Sequence, residues 1–204
     1  MRRASAARRL PVLSEPSPAD FVRPERPVRL SFLGGRGHLD TVIGAVREAR
    51  VSVWIATANL KAMLVEVSRL GRQSRFGSIL GIFDVLAERG VELRILHAEH
   101  PSRPFRAELE NHPRLYEGAL QLRLCPRVHL KCVIVDGRLL YLGSANWTGA
   151  GLGAKSDRNR NFELGLVTED EGMLDDVQAL YEHLWTGGDC ARCGRRALCE
   201  SPLA

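Results

Sequence analysis

Between Val28 and Leu184 two kinds of apolar pattern alternate, and that alternation restricts the folds open to the chain. Short runs rich in β-branched residues occupy 28–33, 51–58, 91–97, 120–124, 128–135, 139–142 and 162–167. Runs of that length and make-up read as strands. Between them apolar residues recur at helical spacing: Leu39, Val42, Ile43 and Val46, then two helical pieces between Leu60 and Arg89. The second piece carries Phe76, Ile79, Leu80, Phe83 and Leu86 on one face and is stopped by Gly90. Pro104–His112 reads as another helix, and Leu174, Val177, Tyr181 and Leu184 give a last amphipathic one. Strands interleaved with helices imply an α/β protein, an α-β-α sandwich with a central mixed sheet.

The run Val128–Val135 is unusual among these strands because it carries polar chemistry. His129 and Lys131 stand two residues apart, so on a strand they project together, while Leu130, Cys132 and Ile134 project the other way. An imidazole beside a fixed ammonium suits attack at a phosphate. Asp136 follows, at an odd-to-even offset from that pair and before Gly137, which reads as a turn-former rather than a proton carrier. Seven residues further on comes Gly143-Ser144-Ala145-Asn146, then Asn161-Phe162-Glu163. Ser144 and Asn146 alone also suit a turn, and Glu163 alone also suits an ion pair with Arg160. Trp147 reads as a packing residue.

The string HxKxxxxD followed by GSxN and an acidic residue resembles the signature of the phospholipase D superfamily over residues 128–165. The resemblance implies a phospholipase D-like fold and phosphodiesterase activity with no cofactor for catalysis. It casts His129 as the nucleophile that forms a phosphohistidine and Lys131 and Asn146 as donors to the phosphoryl oxygens. Glu163 would orient the histidine, Ser144 would bind near the phosphate, and Asp136 completes the motif. Family chemistry uses two such motifs in one site. His38-Leu39-Asp40 and His97-Ala98-Glu99 lack the lysine, so this chain holds one copy. A two-fold homodimer with the site on its axis supplies the second.

Charge qualifies the substrate. Of the net +5, residues 1–30 carry seven arginines against Glu15, Asp20 and Glu25, and the remainder is nearly balanced at 22 basic and 21 acidic residues. Lys155, Arg158 and Arg160 form a local basic cluster near the motif. The expected reading is a homodimeric nuclease on DNA or RNA, acting alone or within a larger defence or repair assembly. A phospholipase or phosphatidyl transferase, or a nucleic-acid-binding assembly subunit, are the alternatives. The basic start, Met1 to Arg9, has no apolar run behind it, so a cytoplasmic protein without stable membrane association is expected.

Three segments follow: a flexible, Pro-rich tail at 1–28, a catalytic domain at 29–187, and a Cys-rich tail at 188–204 packing on it. The last holds Cys190, Cys193 and Cys199 in C-x2-C-x5-C spacing. Without a secretory signal, such clustering points to metal rather than disulfides. Cys125 is the expected fourth ligand, with His183 as the alternative and Cys132 assigned to the core. The spacing resembles the iron–sulfur staple of RecB-like nucleases, and all-thiolate ligation suits a [4Fe–4S] cluster or zinc.

Overall fold

The computed structural model describes residues 19–70 and 73–203. Seven strands form one sheet: β1 (Ser31–Gly34), β2 (Ser52–Thr57), β5 (Glu92–His97), β6 (Leu120–Leu124), β7 (Cys132–Val135), β8 (Leu139–Gly143) and β9 (Leu164–Thr168), in the order β1-β9-β8-β7-β2-β5-β6. Strands β2, β5 and β6 run parallel, and the other pairings are antiparallel, so the sheet is mixed. One face packs against the wide helical turn Leu39–Ile43 with α1 (Gly44–Arg47), α2 (Ile79–Glu88) and α3 (Arg103–Leu109). The other face is covered by α4 (Glu171–Trp185) through Leu174 and Tyr181. This is the α-β-α sandwich that the alternation implied.

The segment after Leu60 departs from the helical expectation. Leu64–Leu70 (β3) and Gln73–Ser78 (β4) form a separate two-stranded hairpin. Leu64 is exposed and Val65 buried, as neighbouring residues of a strand facing opposite ways are. Phe76 therefore sits exposed on β4 instead of joining the buried face of α2. Helix α2 starts later because the Ser78 side chain accepts from the Leu80 amide and caps it. It ends before Gly90, whose φ of 80° suits glycine best.

Strand β7 is shorter than the apolar run that contains it. Its ladder to β2 stops at the Ala56–Cys132 pair, and its ladder to β8 stops at Cys132–Leu142. His129, Leu130 and Lys131 thus lie just beyond the strand, as Phe162 and Glu163 lie just before β9. Beyond the ladder, the chain is free to aim side chains across the end of the sheet.

The opposite end of β7 is held by Asp136. Its carboxylate accepts backbone N–H groups of Arg50, Val51 and Ser52 at 2.7–3.1 Å, tying the β7–β8 turn to the start of β2. The residue takes φ 54°, which aspartate tolerates. Burial raises this carboxyl's pKa, but the three amide donors and nearby Arg138 outweigh it and leave it below the usual aspartate value. Asp136→Asn keeps the turn and removes the charge, so it is expected to cost roughly 1–3 kcal/mol, since hydrogen bonds to a charged group are worth about that much. A depressed carboxyl stabilises above its unfolded pKa and loses that contribution as pH falls through the folded one. The melting-temperature gap between wild type and variant should therefore be full at neutral pH and close below about pH 4. An unchanged gap at low pH would refute the assignment.

Of the N-terminal segment expected to be flexible, residues 1–18 lie outside the described residues. The rest of it is draped on α4, with Arg23 bonded to Asp176 at 2.6 Å and Arg26 bonded to Asp170.

Candidate active site

One end of the sheet gathers the polar residues of the motif. The carboxyl ends of β2, β5 and β8 and the amino ends of β7 and β9 meet there. Parallel strands point their carboxyl ends at ligand crevices in α/β sheets. The Gly143 amide donates to the Lys131 carbonyl at 3.1 Å, and the Ser144 amide to the Leu164 carbonyl at 2.9 Å. These two bonds stitch the HxK, GSxN and Glu163 segments side by side. A side chain on Gly143 would meet the Tyr141 hydroxyl at 2.4 Å and the Leu164 carbonyl at 2.7 Å, so the close approach requires glycine.

His129 is exposed, and Lys131 is half-buried beside it. The Lys131 ammonium lies 3.1 Å from both ring nitrogens of His129 and donates to the His129 carbonyl at 3.0 Å. The two side chains thus project together, as the two-residue spacing implies. Burial lowers the Lys131 pKa, and the nearby Glu163 carboxylate opposes that shift in part.

Asn146 is held by its oxygen. Its Oδ1 accepts from the Ala58 amide at 3.1 Å, the Asn59 amide at 3.2 Å and the Thr57 hydroxyl at 3.3 Å. The two backbone donors fix the amide orientation, the Thr57 hydroxyl being shared with the Asn59 carbonyl at 2.9 Å, and leave the Nδ2 protons available for an acceptor. Glu163 accepts from the Ser144 hydroxyl through one oxygen and from Asn161 Nδ2 at 3.0 Å through the other. The Ser144 hydroxyl also accepts the Leu164 amide at 3.1 Å. Within one chain Glu163 is therefore bonded to Ser144 and Asn161, and the contact to the His129 ring comes from Lys131. Asp136 lies at the far end of β7, away from this cluster.

Three contributors were not legible as site residues. Buried Thr57 receives the Trp147 amide at 2.9 Å and seats the GSxN loop. Asn161 holds the carboxylate. Buried Tyr141 lies under Gly143 and Gly165; burial pushes its hydroxyl up to about 12, with the Ala145 amide opposing and Glu163 reinforcing. Thr57 and Tyr141 sit inside apolar strand runs, where sequence pattern alone reads packing. Trp147 is buried and stacked on Phe83 at 6.0 Å between centroids.

The cysteines separate into two groups. Cys132 is core: burial drives its thiol up to about 12, against one hydrogen bond from the Ala56 amide. Cys125, Cys190, Cys193 and Cys199 are free, half-buried thiols that line one small cavity. Among the described residues, no group of three or more His, Cys, Asp or Glu side chains is arranged to hold a metal ion as it stands. His183 pairs with Asp189 at 3.4 Å instead of facing that cavity.

The fold is that of the phospholipase D-like phosphodiesterases. The family model for the cardiolipin synthase, PLD-like domain matches residues 42–185, and the chain belongs to the phospholipase D superfamily. Similar solved structures include NucT from Helicobacter pylori, 20% identical with a TM-score of 0.56, covering 78% of this chain and 96% of that one. A phospholipase D family member, Nuc from Salmonella typhimurium, is 19% identical with a TM-score of 0.54, covering 77% and 95%. Polyphosphate kinase from Porphyromonas gingivalis is 14% identical with a TM-score of 0.53, covering 76% of this chain and 26% of its own. At these identities the likenesses establish the fold. Among curated proteins no relative of the sequence is found. Among the described residues no helix is long and apolar enough to cross a membrane.

Proposed function

We propose that this chain is a phosphodiesterase acting on nucleic acid and that two copies share one active site. The observation that carries the reading is the exposed His129–Lys131 pair beside an oriented Asn146 amide, present once per chain. His129 Nε2 attacks phosphorus and forms an N–P bond as the bond to the leaving oxygen breaks. His129 of the partner subunit gives that oxygen its proton. It then takes a proton from water, which attacks phosphorus and releases the histidine. Lys131 and Asn146 Nδ2 donate to the phosphoryl oxygens as charge accumulates there.

A second copy also accounts for an exposed apolar strip next to the cluster. Phe162 is fully exposed beside Glu163, and Phe32 on edge strand β1 and Leu164 on its neighbour β9 are exposed as well. Apolar side chains concentrated at an edge beside half a site fit an interface with another copy. Lys155 and Arg158 are exposed on the loop leading to Asn161, cations suited to a phosphate backbone. A cavity of about 580 Å³ there is lined by Arg160, Asn161, Phe162 and Glu163, among others.

The reading is tested by offering the purified protein labelled single- and double-stranded DNA, RNA and phosphatidylcholine vesicles, with and without added magnesium. Cleavage of nucleic acid without magnesium, absent in His129→Asn, is the expected result. Head-group release with intact nucleic acid would reverse the substrate, and binding without turnover would remove the catalytic reading.

A further inference from the structure

The C-terminal cysteines take no part in the chemistry above, yet the fold collects them in one place. Cys190 and Cys193 lie at the two ends of a short helical turn, and Cys199 follows a second such turn. Cys125 comes from the connection between β6 and the HxK segment, 65 residues earlier than Cys190. All four line one cavity of about 30 Å³. The same cavity is lined by Arg123, Arg127, Arg195 and Arg196.

We propose that Cys125, Cys190, Cys193 and Cys199 bind one zinc ion, clamping the C-terminal tail onto the segment that carries His129. Four thiols that release their protons to water and bind Zn2+ as thiolates form a tetrahedral centre of net charge −2, with no change of oxidation state. Four arginines around the cavity offset that charge, whereas neutral thiols or disulfides would leave them mutually repelling. A single zinc ion is satisfied by four thiolates in a tetrahedral array and needs no bridging sulfide. Among the described residues no three of these side chains are arranged to hold a metal ion as they stand, so zinc binding has to draw the thiols together. One hydrogen bond already links the two parts, Arg195 donating to the Pro126 carbonyl at 2.8 Å, while within the tail Arg196 donates to the Cys190 carbonyl at 3.1 Å. The Val128 amide donates to the Cys125 carbonyl at 2.9 Å, closing a turn between Cys125 and the segment that carries His129.

The test is independent of any activity. The full chain, purified under reducing conditions, is expected to hold about one zinc per chain, and replacement by Co2+ should give the intense absorption of a tetrahedral thiolate centre. Cys125→Ser should weaken zinc binding more than about 100-fold, since a ligand matters at least as much as an outer-shell partner. Cys132→Ala should retain the full equivalent. Zinc should also slow amide hydrogen exchange across residues 125–131, a readout available in wild type even if a variant fails to fold. Protein with less than a tenth of an equivalent of zinc that takes up no Co2+ would overturn the proposal. So would bound iron and sulfide, two disulfides by thiol titration, or full zinc in Cys125→Ser.

Discussion

Co-expressing His129→Asn with wild type is expected to depress activity as the square of the wild-type fraction, so an equal mixture retains about one quarter. The reason is that each site needs one histidine as nucleophile and a second as acid. A mixed dimer holds only one and fails at the first displacement. His129→Asn alone should lose about 10⁴-fold or more, because general acid–base and nucleophilic contributions disappear together. The variant suits the purpose because Lys131 also donates to the backbone carbonyl of residue 129. The cation therefore keeps an anchor when the ring is removed. Rate measurements against composition distinguish the outcomes: a straight line through the mixtures would place a complete site within each chain and end the shared-site model.

Phe162→Asp is expected to separate the dimer and to remove activity with it. A fully exposed phenylalanine beside Glu163 gains about 1.5–3 kcal/mol when its ring is covered, and an aspartate there would have to be desolvated without a partner. An anchor of that kind is worth roughly 2 kcal/mol or more at an interface, a factor of about 30 in dimer dissociation for one side. The two-fold repeats the loss on the other. Light scattering should show monomers at concentrations where wild type is dimeric, and raising the variant's concentration should restore part of the activity. A fully active monomer would show that the apolar strip serves another purpose.

The fold was largely legible because its two periodicities differ. Runs such as Leu120–Leu124 match the strand residue for residue, and Leu174 and Tyr181 are buried as the spacing of the last helix implies. The region after Leu60 was not legible for a physical reason. A hairpin and a short amphipathic helix both place apolar residues a few positions apart, and only pairing of Leu64–Leu70 with Gln73–Ser78 settles which one forms. The candidate site shows the same division. His129, Lys131, Ser144, Asn146 and Glu163 stand out in the sequence because together they make up the string that resembles the phospholipase D signature. Thr57 and Asn161 do not, since each acts by holding another residue through a contact 89 or 2 positions away.

By itself, the sequence determined the layer architecture, the single HxK copy and the paired direction of His129 and Lys131, since these follow from local spacing and chain count. Only the tertiary structure decided that β7 begins after Lys131, that Asp136 is a backbone clamp, and that Cys125 shares a cavity with the C-terminal cysteines. Those outcomes depend on where neighbouring strands stop and which distant segments come to rest together. A one-dimensional pattern specifies which faces must be buried; it does not specify what buries them.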